Sequence, residues 1–237
     1  MTTSIVYWPE NLKPGQIVAA PSPMSRSGGR TLGGIERTIR SDRGYWAIAL
    51  QQIALYDPAT RRAWNALRST LVGRAGFLVV PVYSRDTSPW VDDDGPAQSL
   101  VPHDDGTPLD DGALYASPKL QISMETLATI GATIVTLRRI EASPDLSGIR
   151  FSYNHALYET GNALTIDGDL WRVSVFPAIR ATIPAGAILE CDNPTCLVHL
   201  ASDREMDGGL TRAGADKVAV NCVEAVDYWS DLANGLL

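Results

Sequence analysis

The residues best suited to chemistry are three thiols and one imidazole. Cys191, Cys196 and His199 fall in one short stretch, and Cys222 follows later. A Cys₃His set is a valid zinc site, and thiolates also hold iron–sulfur clusters. The four-residue gap between Cys191 and Cys196 is not the two-residue gap of most such sites. The same cysteines therefore read better as small buried hydrophobes. The second candidate is acidic. Asp92-Asp93-Asp94-Gly95, Asp104-Asp105-Gly106 and Asp110-Asp111-Gly112 cluster carboxylates suited to a hard cation such as calcium. The EF-hand spacing with its closing Glu is absent, and Asp-Gly is also a common way to write a turn.

Other catalytic patterns fail on their spacing. His103, His155 and His199 are the only histidines, and none stands in His-Glu-x-x-His. No Gly-x-Ser-x-Gly elbow exists. A Cys/His peptidase is disfavoured, since His103 and His155 precede every cysteine. Gly28 to Gly34 is glycine-rich, but no Lys-Ser/Thr follows, so it does not make a phosphate loop. Paired carboxylates for glycoside cleavage need only meet in space, and the Asp-rich stretch is one place that could carry such a pair. Of the six tryptophans, Trp90 in that stretch is the one expected to be exposed and able to stack on a sugar. No catalytic residue and no cofactor is assigned.

The elements that would carry these residues centre on 44–82. Tyr45 to Leu55 is an apolar run without Gly or Pro. Asp57-Pro58 then opens a helix over 58–72, with Asp57 as N-cap and Pro58 in the first turn. Trp64, Leu67 and Leu71 share one helical face, and Gly73 and Gly76 stop it. Phe77 to Val82 reads as a buried strand leaving its sheet at Pro81.

Upstream, Ile5 to Trp8, Gln16 to Ala20 and Ile35 to Ile39 are strand candidates. Pro21 to Gly34 is predicted as an exposed loop, and Asp42-Arg43-Gly44 as a turn. Periodicity is lost from Ser84 to Pro118. Beyond it, short strands alternate with turns, including a hairpin at Asp167-Gly168-Asp169. The predicted fold is mainly β, a sandwich or barrel with one or two helices, in two β-rich parts. These are 1–83 and 119–237, joined by the acidic Pro/Gly stretch 84–118.

The net charge of −7 argues against general nucleic-acid binding. It is unevenly spread. Residues 1–74 hold ten Lys/Arg against four acids, about +6, which leaves about −13 for the rest. Opposed blocks of charge suit head-to-tail contact between copies or a merely dipolar surface. No apolar run is long enough to span a bilayer, and the first residues lack the features of a signal peptide. An odd cysteine count predicts folding in a reducing cytoplasm.

Several stretches together resemble tail-tip proteins of long-tailed bacteriophages and related gene-transfer particles. They are Asp42 to Trp46 with Arg62 to Leu67 and Leu71 to Gly76, Asp104 to Gly112, Gly148 to Ser152 with Trp171 to Arg180, and Pro194 to Ala201 with Val223 to Ala225. The resemblance is to the distal or minor tail components of the baseplate. It implies a structural virion protein: a β-sandwich with an added helix, six copies forming a ring between the tail tube and the hub or fibres. The implied partners are copies of the chain, the tail tube protein, the hub and other tail-tip proteins, with no membrane insertion. The implied location is the virion tail tip, and the host cytoplasm during assembly. A receptor- or carbohydrate-contacting tip module and a tail-associated cell-wall hydrolase are the alternatives. The residues expected to meet neighbours are Arg37, Arg40 and Arg43 on the basic side. On the acidic side they are Trp90, Asp92, Asp93, Asp94, Asp104, Asp105, Asp110 and Asp111.

Overall fold

The computed structural model describes residues 5–30, 32–82, 87–90, 99–101, 115–117, 120–207 and 216–236. In chain order the elements are β1 (Ile5–Tyr7), β2 (Gln16–Arg30), β3 (Glu36–Leu55), α1 (Pro58–Leu71), β4 (Phe77–Pro81), β5 (Ser99–Val101) and β6 (Tyr115–Ser117). There follow β7 (Gln121–Met124), β8 (Ile134–Glu141), β9 (Arg150–Tyr153), β10 (Ala156–Asp167) and β11 (Leu170–Phe176). The chain ends with β12 (Ile188–Leu189), β13 (Thr195–Leu200), β14 (Asp216–Glu224) and α2 (Val226–Ala233). The fold is mainly β with two α-helices, as the short strand runs and turn residues predict.

One six-stranded sheet has the order β1-β4-β13-β14-β3-β2. The other has the order β12-β7-β8-β11-β10-β9. Its two ends meet, because Ser152 in β9 and Glu190 just beyond β12 exchange backbone hydrogen bonds of 2.8 and 3.0 Å. That contact nearly closes the second sheet into a small barrel. Val135, Leu137, Phe151, Tyr158, Trp171 and Val173 are in its core. The first sheet packs a separate core with α1, built on Trp46, Ile48, Leu50, Trp64, Leu67 and Leu78.

The helix forms as its sequence dictates. The Asp57 carboxylate accepts from the Thr60 amide at 2.6 Å, and the Thr60 hydroxyl faces the Asp57 amide in return. These satisfy amides left over at the first turn. Trp64, Leu67 and Leu71 are buried, and Val72 ends the helix in the left-handed region at φ 51°. Beyond β10, the hairpin at Asp167–Gly168–Asp169 leads into β11 with Asp167 opposite Leu170.

Four expectations are corrected. Pro21 to Arg30 is strand, not loop: β2 pairs with β3 from Gln16 opposite Gln51 out to Arg30 opposite Glu36. Its prolines are tolerated because β2 is the edge strand of its sheet. For the same reason Asp42-Arg43-Gly44 is not a turn but part of β3, which is 20 residues long. The stretch from Ser84 to Pro118 is not wholly irregular, since β5 and β6 pair within it. Finally, the division into 1–83 and 119–237 does not follow the sheets. β13 and β14 lie between β4 and β3 in the first sheet, because Thr195–Val198 and Asp216–Val223 supply the hydrogen-bonding partners those strands need.

Candidate functional site

The candidate site is the outer half of the β2–β3 hairpin. β14 pairs with β3 only from Ala47 to Leu55. Beyond that point the hairpin is a two-stranded arm, from Met24 opposite Ser41 to Arg30 opposite Glu36. At ~3.3 Å per residue, Met24 to Arg30 extends roughly 20 Å. Met24, Leu32, Ile35 and Ile39 are exposed apolar residues on it, with Ile39 76% and Leu32 fully accessible. Residues opposite one another, and those two apart on a strand, share a face. Arg26 lies opposite Ile39 and Met24 opposite Ser41, so Met24, Arg26, Arg37 and Ile39 line one face. That face is apolar and basic together.

The base of the arm is held rigidly. Glu224 on β14 is fully buried and receives Arg180 at 2.8 Å through Nε and 3.0 Å through Nη2. It also accepts from the backbone N–H of Trp46 at 3.1 Å. Arg180 Nη2 donates to the carbonyl of Gly44 as well, and its backbone N–H donates to the Tyr158 hydroxyl at 2.9 Å. The Trp46 indole donates to the Leu157 carbonyl at 2.9 Å. Arg150 pairs with Glu159 at 2.8 Å, reaches the Ala19 carbonyl at 3.1 Å, and lies over the Trp46 ring. Gly44 is required here by close approach: a Cβ would lie 2.2 Å from the Phe176 ring. Strands of the arm, the barrel and β14 are thus fastened at one point, which fixes where the arm points. Two shallow grooves flank this base, of about 400 and 630 Å³, and Ser41 lines both.

The predicted interaction residues divide as follows. Arg37 is exposed on the arm. Arg40 and Arg43 are placed in β3 by their backbone, and their side chains lie outside the described residues. Asp92, Asp93, Asp94, Asp104, Asp105, Asp110 and Asp111 also lie outside them. Trp90 is a correction: it is partly buried, and its indole nitrogen is enclosed rather than presented to solvent. The cause is local packing, since the carbonyl of neighbouring Pro89 accepts from the Ser143 amide and Ser88 bonds the Cys191 carbonyl.

The thiols are all free and buried, and two cores separate them. Cys191 belongs to the barrel core, while Cys196 and Cys222 belong to the first sheet's core. His199 is engaged elsewhere, with one ring nitrogen 2.9 Å from the Gly76 carbonyl and the other 2.9 Å from Asp227 on α2. Among the described residues no three His, Cys, Asp or Glu side chains converge as metal ligands. Burial pushes the Cys191 and Cys196 thiols well above their ordinary value, and the Cys222 thiol up to about 12. Such groups resist becoming the thiolates that metals and nucleophilic catalysis need.

Sequence reasoning passed over His155. One nitrogen is 2.9 Å from the Thr195 hydroxyl and the other 3.4 Å from the Tyr7 hydroxyl. Burial lowers its pKa, so the ring is neutral near pH 7. Its place is the two-residue turn between β9 and β10, where Asn154 and His155 have φ of 49° and 69°. The left-handed backbone is what a tight hairpin requires. The ring ties that turn to β13 and β1.

These buried groups make alkaline stability testable. In the unfolded chain a thiol loses its proton near pH 9.0, while native Cys222 holds it to about 12. Burial likewise raises the Tyr158 hydroxyl from 10.0 to about 12. The unfolded state then binds fewer protons, so this stabilisation is complete below about pH 9 and is lost as pH rises towards 12. The urea midpoint is expected to fall steadily from pH 9 to 11 in reducing buffer. A flat midpoint over that range contradicts it.

No protein-family model and no curated protein sequence matches the chain. What defines the molecule is therefore its architecture: a small, nearly closed barrel fused to an open sheet that carries a projecting basic arm.

Proposed function

We propose that the chain is a structural component of a phage tail tip, assembling with copies of itself into a ring that joins the tail tube to the hub, baseplate or fibres. The observation that carries this reading is the β2–β3 arm. A two-stranded ribbon is marginal by itself in water. This one exposes Met24, Ile35 and Ile39 and leaves strand edges unpaired by β14 beyond Ala47. Such a ribbon gains from a neighbour that covers it. The resemblance of the sequence to tail-tip components supplies the setting, and a ring places a different surface of the next copy against each arm. In this role the protein works by fitting, without turnover, in the virion tail tip and in the host cytoplasm while the tip is built.

Sedimentation velocity over a concentration series tests it. Species that are multiples of the 25.5 kDa chain are expected, growing with concentration. A chain that remains monomeric throughout, and also when mixed with tail tube and hub proteins, overturns the reading.

A further inference from the structure

The groove of about 630 Å³ beside the arm's root has an apolar lining, to which the exposed Ile130 and Val226 and the buried Ile179 and Trp229 contribute. One wall is the last turn of α2, through Ser230 and Ala233. α2 holds Asp227 and Asp231 and no Lys or Arg, so no side chain of the helix offsets the partial negative charge of its C-terminal carbonyls. Arg180 also lines the groove, but Glu224 already matches its charge. The indole N–H of Trp229, a residue only 4% exposed, meets no acceptor among the described residues.

The arm's tip has the complementary character. Leu32 is fully exposed and Ile35 is 63% exposed, in the turn between β2 and β3. Arg30 precedes them and Arg37 follows. Of residues 24–39 Glu36 is the only acid, and it accepts from the Ser27 hydroxyl. The tip lies beyond Arg30, roughly 20 Å from Met24 and from Ser41, which lines the groove at the arm's own root. The tip of an extended ribbon therefore enters this groove only on another copy.

We infer that the Leu32–Ile35 tip of one copy seats in this groove of the next, with Arg30 and Arg37 against the C-terminal end of α2. This rests on the self-assembly reading above and names its contact. Tip and groove are different surfaces of one chain, so the contact is head-to-tail and each copy gives one and receives one. Leu32 and Ile35 leave water on seating, which supplies the driving force. The arginines meet the negative end of a helix, which sets the orientation. The entering turn also brings backbone carbonyls to a wall that has a donor to spare.

Two full-length variants test the contact by sedimentation velocity. One, Leu32→Asp with Ile35→Asp, spoils the tip and keeps the groove. The other, Ala233→Trp, fills the groove and keeps the tip. All three positions are exposed, so both variants should keep the natural circular dichroism spectrum and melting temperature. Ser230→Trp, exposed on the same wall, takes the place of Ala233→Trp if that chain does not fold. Each variant alone is expected to associate about tenfold or more weakly than the natural chain. Mixed in equal amounts they have one sound tip and one sound groove between them, so they should form pairs that grow no further. Neither a two-fold contact nor an arm folded onto its own chain gives that result. Where the natural chain needs the tail tube and hub proteins to assemble, the same samples are compared with those proteins added. If the natural chain associates and the filled-groove variant does so equally well, or the mixture yields no pairs, this inference falls and the assembly reading stands. If the natural chain associates under neither condition, both fall.

Discussion

Glu224→Ala is expected to destabilise the native state by about 3–5 kcal/mol, because it leaves Arg180 charged and buried without its counter-ion. The Arg180 side chain is only 10% exposed, and Glu224 is not exposed at all. The substitution removes both Arg180 contacts and the acceptor of the Trp46 amide. Each orphaned donor then bears its own desolvation cost. Glu224→Gln keeps an acceptor for one of them and should lose less. Urea denaturation of the three chains at pH 7 measures the order. If alanine costs no more than glutamine, the carboxylate's charge is not what Arg180 requires. Replacing both partners by apolar residues of similar volume should recover much of the loss, since the cost comes from the unpaired charge.

The position of this pair connects stability to assembly. Arg180 follows the barrel strand β11, Glu224 ends β14, and their other partners are Gly44 and Trp46 at the root of the arm. Loss of the pair therefore frees the arm's direction as well as weakening the fold. Hydrogen exchange in Glu224→Ala should quicken first at Trp46 and its neighbours, ahead of the barrel core.

What the sequence revealed follows from how local its causes are. Helix α1 was legible because its capping residues and its apolar stripe lie within 15 residues of one another, from Asp57 to Leu71. The β10–β11 hairpin was legible because Asp-Gly-Asp writes its own turn. Helix α2 escaped notice: it has eight residues, and Ala225 at its N-cap offers no side-chain acceptor. The arm was read as loop because Pro, Ser and Gly dominate 21–34, and only the facing strand shows that an edge strand tolerates them. The exposed role expected for Trp90 failed because the residues packing around it are remote in sequence, as Ser143 and Cys191 are. The network at the arm's root was invisible for the same reason, since Trp46 and Glu224 are 178 residues apart.

Excising the arm should abolish association while leaving the fold intact. Replacing residues 25–40 with Asn-Gly joins Met24 to Ser41, which are already opposite one another in the ladder. A two-residue loop of this kind adopts the left-handed backbone that a tight hairpin needs. The described residues removed are exposed and contribute to neither core. The shortened chain should therefore unfold within about 1 kcal/mol of the natural one. Its Gly44, Trp46, Arg180 and Glu224 contacts remain, so the root of the hairpin stays fastened. Association is the quantity that should change, from concentration-dependent growth to a single monomeric species in sedimentation. Assembly that survives excision would place the joint elsewhere, with the barrel's exposed Ile134, Leu164 and Ile166 as the next surface to alter. A chain that loses its fold instead would show that the ribbon supports the sheet below it, and the exposure of nearly every arm residue argues against that outcome.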